Sequence, residues 1–167
     1  MAFIGPSGEI LGRYAKTHLT PFENNPTGTG TPTLITIDGI SVGAMICQDD
    51  NYTDISRRYG AKSTGIVVVP TNDWAQVRSA HFQNSIHRAI ESRYAIVRAA
   101  SNGVSAIISP TGRRLAVSDH LKGGTGLLVA DVPVYNERTI FSRFGCWFVA
   151  AGGLLVTIHM ALERRSR

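Results

Sequence analysis

The chain has 167 residues, 43% of them hydrophobic and 8% aromatic, which suits one globular domain with a real buried core. Lys and Arg number 17 and Asp and Glu 12, a net charge of +5, which favours anionic surfaces only weakly. The arginines pair at Arg57-Arg58, Arg113-Arg114 and Arg164-Arg165 without a basic run or interleaved aromatics, so nucleic acid is not an expected partner; a basic tail beside an apolar segment fits a membrane surface better.

The first residues, MAFIGPSGEI, lack the basic and long apolar regions of a signal peptide. Ala2 to Ile4 and Glu9 to Tyr14 read as hairpin arms around Pro6-Ser7-Gly8. Residues 16–33 are rich in Pro, Gly, Thr and Asn and read as a long loop, of a length that is usually functional or mobile. TLITIDGISVGAMIC places two β-branched runs around Asp38-Gly39, the expected hairpin turn. YTDISRRYGAK reads as a short helix, capped by Thr53 or Asp54 and ended at Gly60. Gly65 to Val69 is a continuous apolar strand, expected to be buried on both faces.

The clearest helix covers residues 75–95, with Val77, Ala80, Ile86, Ala89, Ile90 and Arg93 near a 3.6 spacing. Residues 95–101, 104–109 and 113–118 read as strands, the last two joined at Pro110-Thr111-Gly112, and 125–134 as one more. Strands interleaved with helices and hairpins predict a layered α/β fold with a mixed sheet. Phe144 to Leu162 carries no charged residue. About 20 apolar residues cross a bilayer, and Trp147 at one end with Arg164, Arg165 and Arg167 at the other fits an interfacial aromatic and a cytoplasmic basic flank. A transmembrane helix over 144–162 with a basic cytoplasmic tail over 163–167 is therefore expected; the alternative is a buried C-terminal helix, which Gly152-Gly153, Thr157 and His159 would suit better.

The two cysteines, Cys47 and Cys146, form no C-x-x-C pair, and the five histidines no H-x-x-x-H array. No zinc site, redox dithiol or other metal is expected, and no cofactor. Cys47 follows an apolar strand and precedes polar residues and a helix. Amides and any nearby cation there would favour its thiolate, although position alone fits a buried, inert thiol better. Lys16 ends a strand and could stabilise an oxyanion, or be an ordinary solvated lysine. Asn72, Asp73 and Trp74 also sit at a strand end. In open α/β sheets ligands gather at the carboxyl ends of strands, so three such ends, at Lys16, Cys47 and Asn72, could face one cleft.

Three stretches resemble the carbon-nitrogen hydrolase (nitrilase) superfamily, and within it the apolipoprotein N-acyltransferase branch. GRYAKTHLTPFE resembles the branch's lysine motif, and GAMICQDD its nucleophile motif. VPTNDWAQVRSAHFQNSIHRAIESRYAIVRAASNGVSAIISPTGR resembles its T-N-D-x-W, R-A-I-E and R-A-x-x-x-G-x-S-A patterns. The match runs from residue 2 to about 143, and the apolar tail resembles the branch's last transmembrane helix. The resemblance implies a nitrilase-like α-β-β-α sandwich over residues 1–143, N-terminally incomplete. It implies Cys47 as the nucleophile, taking up an acyl group as a thioester. Lys16 would hold the oxyanion together with backbone N–H groups, and Glu23 would support the lysine loop. Gln48, Asp49, Asn72, Asp73 and Trp74 would be supporting residues.

The sequence also departs from the branch. Gln48 stands where an aromatic is usual, and Asp49 is one methylene shorter than the usual glutamate. The lysine loop looks one residue short, so Asn24 could take the place of Glu23. The family's general-base glutamate lies well upstream of the lysine; the one acid before Lys16 is Glu9, in a hairpin arm, and no residue carries over as the base. The leading expectation is an N-acyltransferase at the cytoplasmic membrane, with its catalytic part on the outer face. It would move an acyl chain from phospholipid to the N-terminal amine of a lipoprotein, as a partial or weakly active chain. The alternatives are a soluble amidase or nitrilase, and a non-catalytic membrane-anchored remnant.

Overall fold

Alternation along the strands builds two apolar faces. In β5 (Ile66–Asn72), Val67 and Val69 join one core cluster, while Ile66 and Val68 pack on the other side. This computed structural model of the protein describes residues 1–123 and 126–165. Its main sheet has six strands: β3 (Leu34–Ile37), β4 (Ile40–Ala44), β5, β6 (Ala95–Ser101), β7 (Val104–Ile108) and β8 (Arg114–Asp119), in that order across the sheet. β4, β5 and β6 run parallel; the β3–β4, β6–β7 and β7–β8 pairs are antiparallel. Asp38, at φ 47, and Gly39, at φ 78, make the β3–β4 turn, both in the left-handed region such a turn requires.

One sheet face is covered by helices α1 (Thr53–Ala61) and α2 (Arg78–Ser92), around Ile55, Tyr59, Phe82 and Tyr94. The other carries Phe3 and Tyr14 from the hairpin of β1 (Ala2–Ile4) and β2 (Ile10–Arg13). The α/β fold with a mixed sheet is as expected. The second helical layer of the expected sandwich is not present among the described residues: the short α3 (Ile140–Phe144) packs against α1 and α2, and α4 (Trp147–Arg165) buries no residue.

Four expectations are corrected. The expected strand over 125–134 is not formed. Residues 127–139 follow an irregular path, with Leu127 and Val129 exposed, and among the described residues no strand pairs with β8 on its outer side; Thr125 lies outside the described residues. The α1 N-cap is Tyr52, and neither Thr53 nor Asp54 caps it. The inward face of α2 is His81, Phe82, Ser85, Arg88, Ala89 and Ser92, while Val77 and Ile90 are exposed. Its buried stripe is thus mostly polar, because partners from other elements neutralise it.

The expected membrane span over 144–162 is interrupted. Phe144 ends α3, Gly145 turns the chain at φ 61, and α4 starts at Trp147. The uncharged part of α4, Trp147 to Leu162, is ~24 Å long at 1.5 Å per residue, short of the ~30 Å hydrocarbon core. No helix among the described residues is long and apolar enough to cross a membrane. Glu163, Arg164 and Arg165 form the end of α4 rather than a separate tail; Ser166 and Arg167 lie outside the described residues. With no such helix among the described residues, the basic end of α4 does not assign a side of a membrane.

Candidate active site

Cys47 stands where β4 leaves the sheet. Ile46 is extended, and Cys47 then turns the chain at φ 49, a left-handed conformation that costs a non-glycine residue of order 1–3 kcal/mol. It opens a 3-10 turn, Cys47–Asn51, that sends its two aspartates into different buried networks. The thiol Sγ lies 3.8 Å from the main-chain oxygen of Asn72, at the end of β5.

Asp49 is fully buried and works toward the lysine loop. Its Oδ1 accepts the N–H groups of Thr17 at 3.0 Å and His18 at 2.7 Å. Its Oδ2 accepts the Tyr14 hydroxyl at 2.8 Å and the Ile46 N–H at 3.2 Å. Burial, and then the Asp49 charge, push the Tyr14 phenol well above its ordinary value. The shorter side chain at 49 therefore still clasps the residues directly after Lys16.

Lys16 is buried, and its Nζ donates to both oxygens of Glu23 at 2.7 Å. Glu23 also accepts the Thr20 N–H at 2.9 Å. These hydrogen bonds, that of Lys16 first, hold the Glu23 carboxyl below its ordinary range. Asn24 is exposed, so the shortened loop still delivers Glu23 to the lysine. Glu9 is exposed and bonds Ser7 in its own hairpin, away from Cys47.

Asp50 turns the other way. It is fully buried, with Oδ2 accepting from Arg98 Nη1 at 3.0 Å and from the Ser85 hydroxyl. Arg98 Nη2 donates to Asp73 Oδ2 at 2.8 Å. His81 lies between the two acids, Nδ1 2.6 Å from Asp73 Oδ1 and Nε2 2.5 Å from Asp50 Oδ1. Burial opposes a charge on His81, but the adjacent Asp50 and Asp73 carboxylates outweigh it and push the imidazole up to about 9; the Nε2 hydrogen bond itself goes to the Cys47 main-chain oxygen, and Asp50 Oδ1 accepts none. Burial likewise opposes the charge of Asp73, but His81 and Arg98 prevail and hold its carboxyl low. Gly103 lets the β6–β7 turn close over Asp73: a Cβ there would sit 2.2 Å from Asp73 Oδ2.

Cys47, Glu23, Asn72, Trp74 and His81 line one pocket of about 730 Å³, a volume suited to a small organic ligand. Its walls include Pro21, Val77 and Ala80, and exposed Phe22 and Trp74 stand 6.2 Å apart, ring to ring. Gln48 bonds Asn51, which bonds Asn84 of α2. Asn72 is tied through Oδ1 to Ser101 and Asn102. Of the predicted residues, Cys47, Glu23, Gln48, Asn72, Asp73 and Trp74 line this cleft; Lys16 and Asp49 are not in its lining and join it through Glu23 and through the cysteine turn. Tyr14, Asp50, His81 and Arg98 were missed; for His81 the polar stripe of α2 at helical spacing, His81, Ser85, Arg88 and Ser92, is a signal, while Tyr14, Asp50 and Arg98 lie on other elements and carry none. Among the described residues no group of His, Cys, Asp and Glu could hold a metal ion, and no carboxylate is hydrogen-bonded to the Cys47 thiol.

Comparison with known proteins gives a consistent result. The family model for carbon-nitrogen hydrolases matches residues 1–139. An apolipoprotein N-acyltransferase of Geobacter metallireducens is 28% identical over 98% of this chain and 36% of its own length. Apolipoprotein N-acyltransferase 1 of Treponema denticola is 32% identical over 78% of this chain and 24% of its own length. The chain thus spans well under two thirds of these relatives. Among solved structures, a mutant of an amidase from Nesterenkonia sp. AN1, with acrylamide added at its active-site cysteine, aligns with a TM-score of 0.64 and 25% identity, over 75% of this chain and 53% of that one.

Proposed function

Because this chain belongs to the carbon-nitrogen hydrolase family, we propose that it carries an N-acyltransferase site working through a thioester on Cys47. The Cys47 thiol gives up its proton as its sulfur adds to the ester carbonyl of a phospholipid; the carbon–oxygen ester bond breaks, that same proton passes to the departing oxygen, and the lysophospholipid leaves. The N-terminal amine of a lipoprotein then attacks the thioester and restores the thiol. Lys16 donates to the oxyanion of each tetrahedral intermediate, with Glu23 keeping its ammonium group charged and in place. Asn72, Asp73, Gln48 and Trp74 shape the wall facing the thiol.

The observation that carries this reading is the Asp49 clasp. A carboxylate two residues after Cys47 binds the two N–H groups directly after Lys16, so nucleophile and lysine loop are held as one unit. The relatives named as apolipoprotein N-acyltransferases support the transfer reaction over hydrolysis. α4 supports an apolar surface such as lipid as its partner: its Phe148, Val149, Leu154, Leu155 and Val156 are exposed, on more than one side of the helix, and its last turn is basic.

The test is intact-mass measurement after incubation with phospholipid vesicles. One acyl group is expected on the protein, located to Cys47 by peptide mapping and absent from Cys47→Ala. An unmodified mass, with the lipid intact, would overturn the reading. The similarity to an amidase fold favours a second reading, hydrolysis of a small amide; ammonia release from a short amide without an acyl adduct from lipid would select it.

A further inference from the structure

We propose that His81 is a positioning residue for Cys47: clamped between Asp50 and Asp73, its ring fixes the Cys47–Gln48 peptide and balances the charge beneath the thiol. This rests on Cys47 being the nucleophile. His81 Nε2 lies 3.0 Å from the main-chain oxygen of Cys47. That carbonyl belongs to a residue held at φ 49, a conformation that persists only where its surroundings impose it. Here the surroundings are His81 from α2, Asp73 from the end of β5, and Asp50 from the same turn as the cysteine. Arg98 of β6 grips both acids and closes the ring of contacts.

Two consequences follow for chemistry. A peptide whose carbonyl accepts from a charged donor has a more polarised N–H at its other end. The other end here is the N–H of Gln48, directly after the nucleophile, where an oxyanion donor would act. The second consequence is electrostatic. The charged groups facing His81 are Asp50, Asp73 and Arg98, from three different elements. With the ring charged, as its upward shift implies, the set is neutral; with an uncharged residue at 81, one negative charge remains beneath Cys47 and opposes the thiolate.

The test reads the thiol itself. Iodoacetamide labelling is followed by peptide mapping at pH 7.5, with exposed Cys146 as the reference in the same molecule. In His81→Gln the labelling rate of Cys47 is expected to fall roughly fivefold or more, with that of Cys146 unchanged. The double variant His81→Gln, Asp73→Asn restores the charge balance and is expected to recover most of the rate. A Cys47 rate within about twofold of the parent in His81→Gln would overturn the proposal, and so would a double variant no better than the single one. Should these variants fail to fold, the parent protein decides: nitrogen NMR must show both ring nitrogens of His81 protonated at pH 7.5, and a neutral ring overturns the proposal. Labelling does not depend on lipid, so loss of the acyl adduct would sink the acyltransferase reading without touching this one.

Discussion

Two sets of charges flank Cys47, and they are built on different terms. The Lys16–Glu23 pair sits on an irregular loop, with the Glu23 side chain 31% exposed. The set of Asp50, Asp73, His81 and Arg98 is drawn from separate elements, and its Arg98 side chain is 0% exposed. A loop-borne pair near water can shift with little penalty, which suits a group that must meet a changing substrate. A buried ring of charges has no solvent to fall back on, so each member depends on the others, which suits a fixed platform.

That contrast can be broken from its largest effect to its smallest. Arg98→Met leaves Asp50 and Asp73 buried with His81 alone to balance them, one negative charge in excess; a loss of about 3–5 kcal/mol in denaturant unfolding is expected. Lys16→Met should instead leave unfolding nearly unchanged while slowing Cys47 acylation by roughly 10²–10³-fold, the scale of one oxyanion donor. A large stability loss in Lys16→Met, or none in Arg98→Met, would erase the distinction.

The next effect is on pH dependence. The folded value of His81, about 9, lies above its unfolded value near 6.5. Its contribution to stability is therefore fully present below pH 6.5 and is lost as pH rises through about 9. The thermal midpoint should fall across that window in the parent, and the fall should shrink in His81→Gln. Smaller still, Glu23→Gln should change stability by under about 1 kcal/mol, as expected for a part-exposed pair. Removing residues from Trp147 onward should change it least of all, because α4 buries nothing; a marked drop in thermal midpoint would show that α4 has a partner within the fold.

The sequence made one of these two sets readable and hid most of the other. Lys16, Glu23 and Cys47 lie in short motifs whose residue types stand next to one another in the chain, and the Asp38-Gly39 turn announces its hairpin locally. Asp73 was visible at its strand end. Asp50 and Arg98, however, are 48 positions apart, and Asp73 and Arg98 are 25 apart. Nothing local pairs them. The α2 periodicity misled for the same reason: counting apolar residues selects Val77 and Ile90, yet the buried stripe is polar because its partners come from other elements. The 125–134 run has the composition of a strand, but among the described residues no strand pairs with β8 on its outer side. The tail read as one span because composition does not register the break at Gly145.

The Asp49 clasp also gives the site a clock. The amides of Thr17 and His18 belong to an irregular loop, where exchange with solvent deuterium is ordinarily fast. Both are bonded to a fully buried carboxylate, so they exchange only when the loop lifts from the cysteine turn. Their exchange rates would report how often the lysine loop lifts from the cysteine turn, and hence how often the cleft can open for a long acyl chain to enter.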